Sequence, residues 1–411
     1  MESIKKLIKS ENWKEILEYG VSLTDEQRYS VISELTQYTE KDRKLLGNTY
    51  VNYLFIVCIR SYKDIEKTKY FNGFSALHWF INDAKIGSEP LEEYFRKFPP
   101  NYMDRYLEDE SRDRYFWQNF RIIWNLHKNG WIKFNENIFT VLFFTLYGFE
   151  NSHIRDAEYL IQNRDILEKV FLQFYKYEIP VLESIKCETI EYPNGLSVKA
   201  GVYWTEVFKI LIEKKAVTDR SIVRHLLESL LNNWKKPHLV WLCGILELFK
   251  PSNSELLEYQ NLIFSLFNTG NTQLINFSQG LAERISKEEN FNYKSYISNV
   301  QSVFAVEKID KSILGILSVI DYGIQKFPEL KKGLADGLKI LFTQTSEKIQ
   351  LKTAEIMIQL EDEKGLKKTV SEYDSALKKK AKALLLDGGS SVNTNTDKKI
   401  KKDSKAGGNK K

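Results

Sequence analysis

A stripe of apolar residues returns four times between Ser221 and Leu360, and its period constrains the fold more than any other feature of the chain. The stripes begin at Leu239, Leu274, Ile313 and Ile349, at successive spacings of 35, 39 and 36 residues. Seven residues on, two helical turns later on the same face, stand Leu246, Leu281, Ile320 and Ile356. The last three stripes extend to Ile285, Ile324 and Leu360, and the positions four residues after each start are mostly small: Cys243, Ser278, Leu317 and Thr353. Small residues there let neighbouring helices approach closely.

Each striped helix follows a partner with apolar residues spaced by three and four. These partners carry Val223, Leu226 and Leu230; Leu256, Tyr259, Ile263 and Leu266; Tyr293, Ile297 and Val300; and Leu330, Leu334, Leu338 and Leu341. Turn formers and helix starters stand at the joints, among them Lys236-Pro237, Pro251-Ser252-Asn253-Ser254, Thr269-Gly270-Asn271 and Phe327-Pro328. One helix pair cannot bury its apolar face alone, whereas stacked pairs share a continuous core, and units of roughly 35–47 residues suit two-helix repeats. The expected fold class is therefore all-α, an α-solenoid of stacked antiparallel helix pairs.

The region resembles HEAT or armadillo-type repeats, closer to HEAT because two helices fit each unit, over about 140 of the 411 residues. Trp13-Lys14-Glu15-Ile16-Leu17, Leu23-Thr24-Asp25-Glu26-Gln27 and the run from His225 to Leu256 also resemble bacterial proteins of unknown function that carry such repeats. That resemblance implies an architecture and no activity.

Residues 1–217 read as irregular or diverged helices, with Thr24 and Gln27 at capping-box spacing and Pro90 early in a helix. Helices are expected over Ala157–Ile161, Leu167–Tyr175 and Val181–Ile185. Around Pro193-Asn194-Gly195 the texture changes, and Thr189–Tyr192 with Leu196–Val198 predicts a small β-hairpin near 189–198. Residues 218–386 hold the repeats and a lysine-rich capping helix; 387–411 form a lysine-rich tail with almost no apolar side chains, expected to be disordered.

The net charge of +5 belongs to that tail. From Gly388 onward seven lysines stand against Asp397 and Asp403, so residues 1–387 sum to zero. A globally basic nucleic-acid-binding body is not indicated, while Lys398, Lys399, Lys401 and Lys402 are the candidate contacts for a polyanion such as nucleic acid. Cys58, Cys187 and Cys243 are odd in number and far apart, which suits reduced thiols. The first residues lack a signal-peptide core, and the longest apolar stretch, Ile138–Phe149, is shorter than the ~20 residues a membrane helix needs. No membrane association and a cytoplasmic location are expected.

The densest aromatic stretch, from Tyr102 to Phe149, includes Phe116, Phe120, Trp124, Trp131, Phe134, Phe139 and Phe143. With Arg112, Arg114, Arg121 and Lys128 it has the composition of a base-stacking platform, but Phe116, Phe120, Ile123 and His127 fall at helical spacing and read as a core face. The five histidines are scattered, and Glu150/His153 and His225/Glu228 are isolated i, i+3 pairs where a metal needs three or four ligands. Phosphate-binding loops, serine-hydrolase elbows and zincin motifs lack their markers. No catalytic, cofactor-binding or metal-ligating residue is assigned. The expected function is a non-enzymatic scaffold that binds a protein partner; the alternative is a DNA-repair glycosylase on a HEAT-like scaffold, which the aromatic-basic stretch and that architecture suggest.

Overall fold

The computed structural model describes residues 2–68, 76–82, 87–111, 119–144, 152–187 and 196–388, which hold 25 α-helices and one two-stranded antiparallel sheet. The chain is all-α with one small hairpin. It divides into two compact units, residues 1–219 with 234–241, and residues 220–233 with 242–411.

In the first unit the local signals act where they were read. Thr24 and Gln27 close a reciprocal capping box at the start of the helix Asp25–Thr36, and Pro90 sits in the first turn of Glu89–Lys97. The helices Asn48–Ile56 and Ala76–Asn82 pack together, as do His153–Gln162 and Ala200–Glu213. The unit also holds an aromatic core. Phe120 meets Phe143 edge-on at 4.9 Å between centroids, Phe143 meets Trp204 at 5.3 Å, and Phe171 meets Phe208 at 4.6 Å. The Phe120–Phe143 contact adds to burial because the positive edge of one ring faces the negative face of the other.

A buried ion pair ties together the turns near residue 60. Arg28 lies 3.1 Å from Asp64 and donates to the Cys58 carbonyl, while the Asp64 carboxylate accepts from the backbone N–H groups of Arg60 and Ser61 at 2.9 and 3.1 Å. Burial alone would raise the Asp64 pKa, but those donors and the Arg28 charge hold it below its ordinary value.

The hairpin is present with a different first strand. Ser184–Cys187 pairs with Leu196–Lys199 in the register Ser184↔Lys199 to Cys187↔Leu196. Thr189–Tyr192 lies outside the described residues. The helix expected over Val181–Ile185 is instead a turn leading into the strand. Tertiary hydrogen bonds decide this: Gly201 donates to the Val181 carbonyl at 3.0 Å and Ala200 to that of Glu183 at 2.7 Å, which takes both carbonyls away from a helix.

In the second unit successive pairs stack like on like. The first helix Gln260–Ser265 packs on the first helix Tyr293–Val300. The second helix Thr272–Ile285 packs on Asp310–Lys326, that on Glu347–Leu360, and that on Lys379–Asp387. Every stripe residue from Leu239 to Ile356 is buried, and Leu360, at the end of the last stripe, is half-buried. The second helices of the three later pairs run unbroken, whereas their first helices are short and finish in 3-10 turns such as Leu266–Thr269 and Ile340–Thr343. The lysine-rich cap is two helices, Glu363–Tyr373 and Lys379–Asp387, rather than one. Gln350 accounts for the break: its amide donates to the carbonyls of Phe342, Gln344 and Ala376 at 2.9, 2.8 and 3.0 Å, and its Oε1 accepts from the Lys378 N–H at 2.7 Å.

Candidate functional site: polar ladders between successive helix pairs

Stacking similar pairs brings equivalent surface positions side by side, so a polar residue on one helix finds its counterpart one period later. On the first helices, Asn261, Ser265 and Asn268 share a face by their spacing of four and three, and Ser295, Asn299 and Ser302 repeat it 34 residues on with hydroxyl and carboxamide exchanged. They pair across the joint. Ser295 Oγ donates to Asn261 Oδ1 at 3.1 Å, Asn268 Nδ2 to Asn299 Oδ1 at 2.7 Å, and Ser302 Oγ to Asn268 Oδ1 at 2.8 Å.

The second helices carry a ladder of their own. Ser312 Oγ donates to Asn276 Oδ1 at 2.5 Å, and Asp321 receives Lys352 Nζ at 2.7 Å and Gln359 Nε2 at 3.0 Å. Lys352 replaces an apolar residue in the repeat because it spans to Asp321; the pair holds the Asp321 carboxyl below its usual range despite partial burial. Inside the stack, Ser278 donates to the Ile263 carbonyl at 2.5 Å, a helix-to-helix bond that its small side chain permits. Tyr296 donates to Gln279 Oε1 at 2.7 Å. Gln279 Nε2 is buried without a hydrogen-bond partner, in the space a side chain at Gly315 would occupy, 2.8 Å from that Cβ position.

The joint between Arg220–Asn233 and the following pair is ionic. Arg220 forms a bidentate pair with Glu255 at 2.7 and 2.9 Å and donates to the Phe249 carbonyl at 2.9 Å. The Arg220 contact and the capping hydroxyl and backbone N–H of Ser252 lower the Glu255 pKa to about 2.

The residues singled out from sequence are not brought together. His127 Nδ1 bonds the Ile132 carbonyl at 3.0 Å; His225 pairs with Glu228, both half-buried, at 3.3 Å; Glu150 lies outside the described residues. His238 is buried between Trp234 and Trp241, accepts from the Ile179 N–H through Nδ1 at 3.2 Å, and has its pKa pushed down to about 4 by burial. No group of three or more His, Cys, Asp or Glu side chains among the described residues could hold a metal ion, and no helix among them is long and apolar enough to cross a membrane. Phe120, Phe139 and Phe143 are fully buried, while Phe116, Arg112 and Arg114 lie outside the described residues, as do Lys398, Lys399, Lys401 and Lys402. Apolar spacing gives no sign of the ladders, whose polar residues keep the same period without adding to any stripe.

Residues 1–310 match the family model described as a domain of unknown function, DUF6493. No curated protein and no solved structure matches the chain.

Proposed function

The chain belongs to the DUF6493 family, and from that premise we propose that it is a non-enzymatic protein-interaction scaffold whose second unit is an α-solenoid of HEAT-like helix pairs. The observation that carries this reading is the like-on-like stacking of the pairs together with hydroxyl and carboxamide side chains presented in register along the first helices. Such a surface presents neutral polar groups, largely bonded to one another, along the pairs, which suits an extended partner more than a compact small molecule. Asn261 supports this directly: its Oδ1 is engaged by Ser295, which leaves its Nδ2 donor uncommitted on an exposed position.

The test is affinity copurification from the source cell at moderate salt, comparing the full chain with a version ending at Leu386 and assaying protein and nucleic acid. A discrete protein partner in constant ratio with both versions is expected. Nucleic acid retained by both, with release of damaged bases from DNA by the purified chain, would replace the scaffold reading with the repair reading.

A further inference from the structure

Residues 366–387 contain no glycine and no proline, and their lysine and leucine spacing reads as one helix. The chain nevertheless breaks at Lys378, whose φ of −72° and ψ of 147° are extended. The break is narrow. Leu377 N–H still donates to the Tyr373 carbonyl at 3.0 Å, and Lys382 N–H already donates to the Lys378 carbonyl at 3.0 Å. A continuous helix would join Lys378 N–H to the Asp374 carbonyl and Lys380 N–H to that of Ala376. Gln350 holds the Lys378 N–H and the Ala376 carbonyl instead, at 2.7 and 3.0 Å. Charge favours the unbroken form. Glu372 and Asp374 stand at the C-terminal end of one helix, and Lys378, Lys379 and Lys380 at the N-terminal end of the next, against both helix dipoles. In one helix Asp374 would stand four residues before Lys378, a favourable pair, in place of its present contact with Lys382.

We propose that residues 363–387 are a two-state hinge. Broken at Lys378, they fold Lys379–Asp387 onto the chain's own last stripe helix; straightened, they deliver it to the same groove of a second copy and give a helix-exchanged dimer. The seat is built for that helix. Lys379–Asp387 packs on Glu347–Leu360 with Ala381 and Leu385 buried and Lys380 paired with Glu347 at 3.3 Å. At its end, a Cβ on Gly388 would lie 2.7 Å from Ile358 Cγ1. Exchange between identical copies keeps these contacts and adds the hydrogen bonds of the straightened hinge, while giving up the hold of Gln350 on Lys378 and Ala376. The inference is independent of the scaffold reading.

The test uses the full chain. Sedimentation equilibrium over a rising concentration series is expected to show monomer and dimer in exchange. Gln350→Leu, which releases the break, is expected to tighten the dimer about tenfold or more. Thiols then read the groove: Ile358→Cys and Gly388→Cys are made in separate chains, mixed at high concentration and oxidised. A disulfide between the two chains is expected, because exchange brings position 388 of one copy to position 358 of the other; wild type treated alike controls for Cys58, Cys187 and Cys243. A chain with both substitutions, oxidised while dilute, is expected to close on itself and stay monomeric at any concentration. Wild type that is monomeric throughout the series overturns the exchange, as does a dimer whose mixed variants form no disulfide between chains. A folded Gln350→Leu that dimerises no more tightly than wild type overturns the hinge, and the thiol variants, which keep Gln350, decide the groove if Gln350→Leu does not fold.

Discussion

Burial as a neutral imidazole makes His238 sensitive to acid. Its Nδ1 accepts from the Ile179 N–H, so a proton added there removes the bond and leaves a charge between two indole rings. The folded pKa, about 4, lies below the ordinary 6.5, so the stability it contributes is complete above pH 6.5 and is lost as pH falls from 6.5 towards 4. The loss should reach about 3 kcal/mol. His238→Asn keeps an acceptor for Ile179 without titrating, and urea unfolding between pH 7 and pH 4 should give a shallower decline for it than for wild type. Glycine shows how far context governs one residue type. Gly323→Ala pushes a methyl into the Tyr293 ring, whose hydroxyl is fixed to the Ser286 carbonyl, and should cost about 1–3 kcal/mol by denaturant melts. Gly280→Ala should instead stabilise by about 1 kcal/mol. In the sequence both read as glycines inside helices.

At the scale of elements, the cap of the stack depends on one side chain. Gln350 is fully buried and joins the end of Ile340–Thr343 to the turn between Glu363–Tyr373 and Lys379–Asp387. Gln350→Leu keeps the volume but strips three carbonyls and one N–H of their partner, and should cost about 2–4 kcal/mol. Hydrogen exchange should show the faster exchange concentrated at Lys378 and through residues 363–387. The stripes, the capping box at Thr24, the helix start near Ser252 and the early Pro90 were legible because each is a local rule within one or two turns of helix. The break at Lys378 was not, since lysine and leucine spacing continues through it and only the reach of Gln350 from another helix reveals the turn. The helix expected over Val181–Ile185 failed for a similar reason: Val181 and Glu183 give their carbonyls to Gly201 and Ala200, on the far side of the hairpin.

For the whole molecule, charge separates body from tail. Residues 1–387 sum to zero and the seven lysines beyond Gly388 carry the excess, so a chain ending at Gly388 should lose retention on a cation exchanger at pH 7 and most of its salt-dependent affinity for heparin, with Tm unchanged. An unchanged heparin affinity would move the polyanion contact off Lys398, Lys399, Lys401 and Lys402. By itself the sequence determined the all-helical class, the period of the stack and the buried stripe residues, because a helix repeats every 3.6 residues and each stripe can be hidden only against another. Tertiary structure alone decided which polar groups meet: the Asn261–Ser295 and Asn276–Ser312 bonds, the pairing of Lys352 with Asp321, and the unspent amide of Gln279 beside Gly315. A hydrogen bond depends on the last ångström of approach between two helices, and that distance is set by the packing of the whole core rather than by either helix alone.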